Sequence, residues 1–274
     1  MTKRSIAIVG LGTIGAALAS GILKAGLATR DTLAGSTAHP ETAAEAARRL
    51  GIPVTCDNRT LVRGKDIVVL AVKPKTMPKV LSELREVVLP SQLVISVAAA
   101  TPTRFVEEGL GKPIPVVRAM PNTPCRIGLG MTAICPGRHA RPEHLKAARE
   151  LFSSVGRVAQ IEDEELMDAV TALSGSGPAY AYIIVEALAE GGVKMGLPRR
   201  LATELAAQAI LGGAALVLES GEHPALLKDD VTTPAGVTID GIMALEEGGL
   251  RVALIRAVMA ATERGKALSR NPLS

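Results

Sequence analysis

Ser5-Ile6-Ala7-Ile8-Val9-Gly10-Leu11-Gly12-Thr13-Ile14-Gly15 decides the fold. An apolar run of strand length leads into a Gly-x-Gly-x-x-Gly turn, and the turn opens an apolar-periodic helix over Thr13–Ala25. Glycines at this spacing permit a tight turn. They also let backbone N–H groups approach a pyrophosphate at the positive end of a helix. The motif alone is a weak signal, and a structural Gly-rich turn is the bland alternative. Its place between a strand and a helix is the context that a dinucleotide-binding fingerprint requires. Gly10, Leu11, Gly12, Thr13, Ile14 and Gly15 are therefore candidate cofactor residues.

Outward from this turn, the first half of the chain alternates short apolar runs with helical patterns. Strands are predicted over Thr32–Gly35, Pro53–Thr55, Ile67–Val72, Leu93–Val97 and Pro115–Ala119. Helices are predicted over Glu41–Leu50, Asn58–Arg63 and Met77–Val87. Ile67–Val72 is apolar throughout, as a strand in the middle of a parallel sheet must be. Leu129–Ile134 and Ala159–Ile161 read as edge strands with a helix at Pro142–Ser153 between them. This rhythm predicts an α/β fold, with a Rossmann-like doubly wound dinucleotide domain over residues 1–162. Beyond Asp163 the strand signals stop. Helices are predicted from Glu164 to Ala172 and over Gly177–Val193, Arg199–Leu218, Ala225–Lys228, Ile239–Glu247 and Leu250–Leu268, so that residues 163–274 read as an all-helical domain. Ala181, Ala187, Ala189, Gly191 and Gly192 allow helices to approach closely, within the chain or across a dimer.

Composition narrows the function. The 274 residues are 47% hydrophobic and 21% charged, which is globular. The net charge of +4 comes from interspersed residues without a basic run, and aromatics make up 1%. Neither an electrostatic footprint nor a stacking platform for nucleic acid is present, so no nucleic-acid partner is expected. Cys56, Cys125 and Cys135 form no Cys-x-x-Cys pair, and the four histidines show no ligand spacing with them. Reduced thiols, a cytoplasmic location and no metal are expected. No uninterrupted apolar run of membrane-spanning length is read, so no membrane partner is expected either.

The end of the second predicted strand separates NAD from NADP sites. Ala34-Gly35-Ser36-Thr37 carries no acid where an NAD site places one to hold the ribose hydroxyls. Ser36 and Thr37 suit a 2′-phosphate instead, with Arg59 as a candidate helper or a plain surface charge. NADPH is the expected cofactor and NADH the second candidate. Ala71-Val72-Lys73-Pro74 and Val97-Ala98-Ala99 follow strands at their carboxyl ends, where ligands lie in such sheets. Lys73 reads either as a base or as an exposed structural lysine. In the helical half, Thr232-Thr233-Pro234-Ala235-Gly236-Val237-Thr238 is a polar knot that opens an apolar helix. It reads either as an anion-binding helix start or as an ordinary N-cap.

In these residues the chain resembles the pyrroline-5-carboxylate reductase family over essentially its whole length. The specific matches are Ala71–Pro74, Met120-Pro121-Asn122-Thr123-Pro124, Asp168 through Tyr180, Gly191 through Leu197, and Thr232 through Glu246. The resemblance implies NADPH-dependent reduction of 1-pyrroline-5-carboxylate to L-proline, the last step of proline biosynthesis. It also implies a homo-oligomer formed through the helical domain, a dimer often assembled into a decamer. The cofactor positions it implies are Gly10 to Gly15, Ser36 or Thr37, Asn58, Ala71 to Pro74, and Val97 to Ala99. The substrate positions are Glu164, Ser176, Asp230, Ala235, Gly236, Val237 and Thr238, with Thr238 as the catalytic hydroxyl.

Two residues depart from the family pattern. Ala235 stands where Gly is usual, and Asp230 where some members have Asn. Two rival readings stand beside this one. A 3-hydroxyacid dehydrogenase would carry a catalytic lysine on the first long helix of the second domain, but Gly177–Gly192 contains no Lys. A dinucleotide-sensing protein would not require the carboxylate-ready knot.

Overall fold

The computed structural model describes residues 4–270. An eight-stranded sheet runs in the order β3-β2-β1-β4-β5-β6-β7-β8. Its strands are β1 (Ile6–Val9), β2 (Leu33–Ser36), β3 (Val54–Thr55), β4 (Ile67–Leu70), β5 (Leu93–Ser96), β6 (Val116–Met120), β7 (Gly130–Pro136) and β8 (Gly156–Gln160). All pairings from β3 to β6 are parallel. β7 runs antiparallel to β6, and β8 parallel to β7. The crossovers carry α1 (Thr13–Lys24), α2 (Pro40–Leu50), α3 (Asn58–Val62), α4 (Met77–Leu84) and α5 (Thr103–Leu110), and α6 (Pro142–Ser153) joins β7 to β8. This is the doubly wound arrangement expected from the β-α rhythm.

Alternation along β1 builds the two halves of the core. Ile6 and Ile8 join Leu18, Ile22 and Phe152 on one face of the sheet. Ala7 and Val9 join Met77, Leu84, Val106 and Leu110 on the other. Both faces are covered, so the central strands are buried throughout, as their unbroken apolar sequences demand.

The chain divides into two compact units. Residues up to Ser176, together with those from Ala261 on, form one; Gly177–Ala260 form the other. The change of sequence pattern near residue 162 thus precedes the division between units, for a packing reason. Met167 is fully buried against Ala133 and Cys135 of β7, so the first turns after β8 stay with the sheet. These turns are not the continuous helix expected over Glu164–Ala172. They form a 3-10 turn (Glu164–Leu166), α7 (Met167–Val170) and a π turn (Thr171–Gly175). Asp163 accepts from Glu165 N at 2.9 Å. The Thr171 hydroxyl back-bonds to Met167 O at 2.7 Å, and Ser176 N reaches Thr171 O at 2.9 Å. Such local bonds compete with regular helix, and π turns gather at functional sites.

Helix α5 carried no clear sequence signal. It is eight residues long, it starts behind Pro102, and it carries Gly109, a weak helix former, near its end. The second unit contains α8 (Gly177–Lys194), α9 (Arg199–Ser220), α10 (Pro224–Asp230), α11 (Val237–Glu247) and most of α12 (Leu250–Arg270). Ala189 of α8 packs on Ala202 and Ala206 of α9, the close helix approach that small residues allow. Helix α9 is also long and apolar enough to cross a membrane by length and composition, although the sequence reading found no such run. Leu201, Leu205, Leu211, Leu216 and Leu218 on this helix are exposed.

Leu18 sits between α1 and the sheet and is 1% exposed. Leu18→Ala is expected to destabilise the protein by about 3 kcal/mol, through lost burial and a residual cavity. Urea denaturation of both proteins measures this; a change below about 1 kcal/mol would contradict the packing described.

Candidate functional site

The site begins at one edge of the sheet. Val9, Ser36, Leu70 and Ser96 end β1, β2, β4 and β5, and they are paired in register across the sheet. The ladder continues one step into each loop: Leu11 N bonds Ser36 O at 2.8 Å, Ala71 N bonds Val9 O at 2.8 Å, and Val97 N bonds Leu70 O at 3.0 Å. The sequence-derived cofactor segments Gly10–Gly15, Ser36–Thr37, Ala71–Pro74 and Val97–Ala99 are thereby brought together.

The glycine turn meets the demands read from its sequence. Gly10 has φ +99°, and a Cβ there would lie 2.8 Å from Ala71 O. Gly12 is the N-cap of α1, with no side-chain cap, and a Cβ added to it would meet nothing within 4 Å. The space in front of the first amides of α1 is therefore open, and no acidic residue stands in the first turn. A cleft of about 530 Å³ opens beside Gly12 and Thr13, with Arg49 and Arg126 in its wall. Free amides, a helix dipole and two guanidinium groups suit a pyrophosphate.

At the end of β2, the buried Ser36 hydroxyl donates to Asn58 Oδ1 at 2.6 Å, and Asn58 Nδ2 donates to Glu83 Oε2 at 2.8 Å. Thr37 donates its hydroxyl to His39 O at 3.1 Å. Asn58 opens α3, whose N-cap Asp57 accepts from the amides of Arg59 and Thr60. Those bonds, the Thr60 hydroxyl first, hold the Asp57 carboxyl below its ordinary value. Arg59 is exposed on the next residue, and Lys73 is exposed as well.

Several positions here went unassigned in the sequence. Asn122, inside Met120–Pro124, donates to Ser174 O at 3.1 Å and accepts from Met131 N at 2.8 Å. It ties that motif to the π turn and to β7. Arg118 on β6 is 3% exposed. A buried arginine in an otherwise apolar strand was the signal available for it. Its NH1 lies 3.1 Å from Glu164 Oε1, and its NH2 lies 3.8 Å from Asp168 Oδ1. Asp168 in turn accepts from the Ser269 hydroxyl at 2.8 Å. Glu164, expected among the substrate contacts, also accepts from Thr103 N at 2.8 Å and from the Thr103 hydroxyl at 2.6 Å. Burial pushes the Cys135 thiol up to about 11, with the Glu164 carboxylate adding to the effect, so Cys135 is a poor nucleophile at neutral pH.

In the second unit, α11 begins at Val237, and its N-cap is Gly236 without a side-chain cap. Thr238 is therefore inside the helix and is not its capping hydroxyl. The N-cap of this segment is Gly236, through its backbone alone. The knot is held by Gly236 N to Thr233 O at 3.0 Å and by the Thr232 hydroxyl to Lys228 O at 2.8 Å. A Cβ on Gly236 would meet Thr233 Oγ1 at 2.4 Å and Thr233 O at 3.1 Å, so a larger residue would displace the Thr233 side chain. Asp230 is exposed at the end of α10, beside the Lys228–Asp229 ion pair. Ser176 is partly exposed at the end of the π turn. Ala235 has φ +58°, the left-handed conformation that makes its departure from Gly costly.

The family model described as pyrroline-5-carboxylate reductase dimerisation matches residues 164–268, and one described as NADP oxidoreductase, coenzyme F420-dependent, matches residues 5–100. A pyrroline-5-carboxylate reductase of Methanosarcina acetivorans is 46% identical over 98% of this chain and 100% of its own. The structure of a pyrroline-5-carboxylate reductase from Coxiella burnetii superposes with a TM-score of 0.90 at 33% identity, covering 97% of this chain and 99% of that one. A Plasmodium falciparum pyrroline carboxylate reductase with NADP bound gives a TM-score of 0.87 at 33% identity, covering 98% and 99%.

Left-handed backbone costs a non-glycine residue about 1–2 kcal/mol, whereas glycine gives back about 0.4–1 kcal/mol through the unfolded chain. Ala235→Gly is accordingly expected to hold stability or raise it by up to about 1 kcal/mol. The same change at exposed Ala44 in α2 should cost about 0.5–1 kcal/mol. Paired thermal melts check this; equal losses at both positions would contradict the assigned φ.

Proposed function

The chain belongs to the pyrroline-5-carboxylate reductase family, and from that premise we infer that it reduces 1-pyrroline-5-carboxylate to L-proline, the final step of proline biosynthesis. It is an oxidoreductase that uses a nicotinamide dinucleotide and works as a homo-oligomer. The observation that carries this reading is a single likeness spanning both the dinucleotide cradle and the hydroxyl-rich helix start. A sensor needs the first without the second, and a 3-hydroxyacid dehydrogenase needs a lysine that α8 lacks before its last residue, Lys194.

The bound dinucleotide supplies a hydride to the imine carbon. In the proposed site Gly10, Leu11, Gly12, Thr13, Ile14 and Gly15 hold its pyrophosphate, with backbone amides aimed by α1. Ser36, Thr37 and Asn58 face the ribose end. Ala71, Val72, Lys73 and Pro74 would hold its middle, and Val97, Ala98 and Ala99 would hold the nicotinamide. The enzyme prefers NADPH to NADH. Hydroxyls in place of a carboxylate at the end of β2 support this preference, with Arg59 exposed nearby. The Glu83 carboxylate reaches this edge, but Asn58 holds it and Lys79 Nζ lies 3.9 Å away.

The substrate is a cyclic imine with a carboxylate. The helix-start amides at Ala235, Val237 and Thr238 suit the carboxylate, and Gly236, whose own amide bonds Thr233 O at 3.0 Å, shapes the turn that presents them. Thr238, whose hydroxyl is free of a capping bond, hydrogen-bonds the ring nitrogen and holds its proton. Asp230 and Ser176 complete the proposed contacts, Asp230 with its charge turned from the carboxylate. Dinucleotide work is assigned to residues 1–162, and dimerisation with substrate work to 163–274. The exposed leucines of α9 suit a second copy of this chain rather than a lipid bilayer. Assembly of dimers into decamers and a cytoplasmic location belong to the same proposal. They rest on the family resemblance and on three free cysteines.

Purified protein is expected to oxidise NADPH only when pyrroline-5-carboxylate is added. Thr238→Ala should lower kcat by about 10²-fold while the NADPH dissociation constant stays the same; an unchanged kcat removes Thr238 from the chemistry. The specificity constant for NADPH should exceed that for NADH by at least about tenfold, the discrimination worth about 1.4 kcal/mol. Equal constants would undo the argument from Ser36 and Thr37.

A further inference from the structure

Glu164 has both carboxylate oxygens engaged. Oε1 accepts from Thr103 N at 2.8 Å and from Arg118 NH1 at 3.1 Å, and Oε2 accepts from the Thr103 hydroxyl at 2.6 Å. Behind it, Arg118 is 3% exposed, and its NH2 is buried without a hydrogen-bond partner. Its other carboxylate neighbour, Asp168 Oδ1, lies 3.8 Å from NH2, beyond hydrogen-bond reach, so losing Glu164 would leave the buried charge under-compensated. Glu164 is thus pinned from one side by Arg118 and holds Thr103 on the other.

Thr103 is the first residue of α5, directly after the loop that leaves β5. That loop is strained. Ala100 has φ +50°, which a non-glycine residue adopts only where its surroundings insist. Its near end is fixed by Val97 N to Leu70 O at 3.0 Å, and the Thr101 hydroxyl bonds Ala99 O at 3.1 Å. Its far end is fixed by Glu164. Arg118 also pairs in register with Ser96, the last residue of β5 before the loop. One ionic cluster therefore abuts both ends of the strained segment.

We propose that Glu164 is a positioning residue for hydride transfer: with Arg118 behind it, it grips Thr103 and so sets the Val97–Thr101 loop against which the nicotinamide rests. This builds on the dinucleotide reading above. It adds a role through the cofactor to the direct substrate contact implied by family resemblance. Releasing the grip lets Ala100 relax and moves the loop, and small displacements at a hydride-transfer site cost rate far more than affinity.

The test uses the full-length protein, pyrroline-5-carboxylate, and NADPH carrying deuterium at the transferred position. Parent, Glu164→Gln, Thr103→Val and Thr103→Ser are compared. Glu164→Gln and Thr103→Val are expected to lower kcat about tenfold and to raise the deuterium isotope effect on kcat, because a misplaced nicotinamide makes the hydride step more rate-limiting. NADPH affinity, followed by fluorescence, should change less than about threefold. Thr103→Ser keeps the hydroxyl and should recover most of the loss. The isotope effect does not depend on the fraction of protein folded, so mere destabilisation leaves it unmoved. Variants with the parent's kcat and isotope effect overturn the proposal. So does a raised KM for pyrroline-5-carboxylate with an unmoved isotope effect, which would leave Glu164 with the substrate contact alone. A parent that oxidises no NADPH overturns the dinucleotide reading first, and is told apart because all four proteins then fail alike.

Discussion

The common register of β1, β2, β4 and β5 at their carboxyl ends is the constraint on which the site depends. A parallel sheet gives every strand the same polarity, so loops from Val9, Ser36, Leu70 and Ser96 leave from one edge. A slip of one residue in any of these strands would turn its apolar side chains to the wrong face. Burial on both faces makes such a slip expensive. The core therefore holds the register, and the register holds four loops that are otherwise distant in sequence beside one another.

Polar chemistry enters this frame at a few chosen points. Ser36 and Asn58 form a hydrogen-bonded chain that ends on Glu83. Asn122 links the π turn to β7. Arg118 brings a full charge into the sheet and is answered by Glu164 and Asp168. Each is buried or partly buried, so each bond acts in a medium where an unmet group is costly. Asp168 also receives Ser269 from the last turns of α12. Residues far apart in the chain are thereby tied to the sheet edge.

The second unit follows a different logic. Its helices bury little of their apolar surface: Ala189, Ala202 and Ala206 pack together, while Ile183, Leu188, Leu205, Leu216 and Met259 remain exposed. Apolar area of this extent is characteristic of an interface. Homo-oligomerisation is consistent with this surface. Helices buried on several sides by a partner carry apolar residues all round.

Local pattern made the fold class legible. The Ser5–Gly15 stretch, the β-α rhythm and the all-helical second half depend on periodicity and turn chemistry, which act between residues close in sequence. The Gly10–Gly15 turn, the loops that follow the strands at this sheet edge and the hydroxyl-rich Thr232–Thr238 stretch were legible for the same reason. Helix α5 was not, because it is eight residues long and is held in part by Glu164. The breakup of Glu164–Gly175 into 3-10, α and π turns was equally hidden, since Met167 packing on β7 sets those turns. The partners of Arg118, Asn122 and Glu164 were decided by tertiary structure alone. Hydrogen bonds and ion pairs between residues dozens of positions apart leave no periodic trace, and they form only once the sheet has placed both partners.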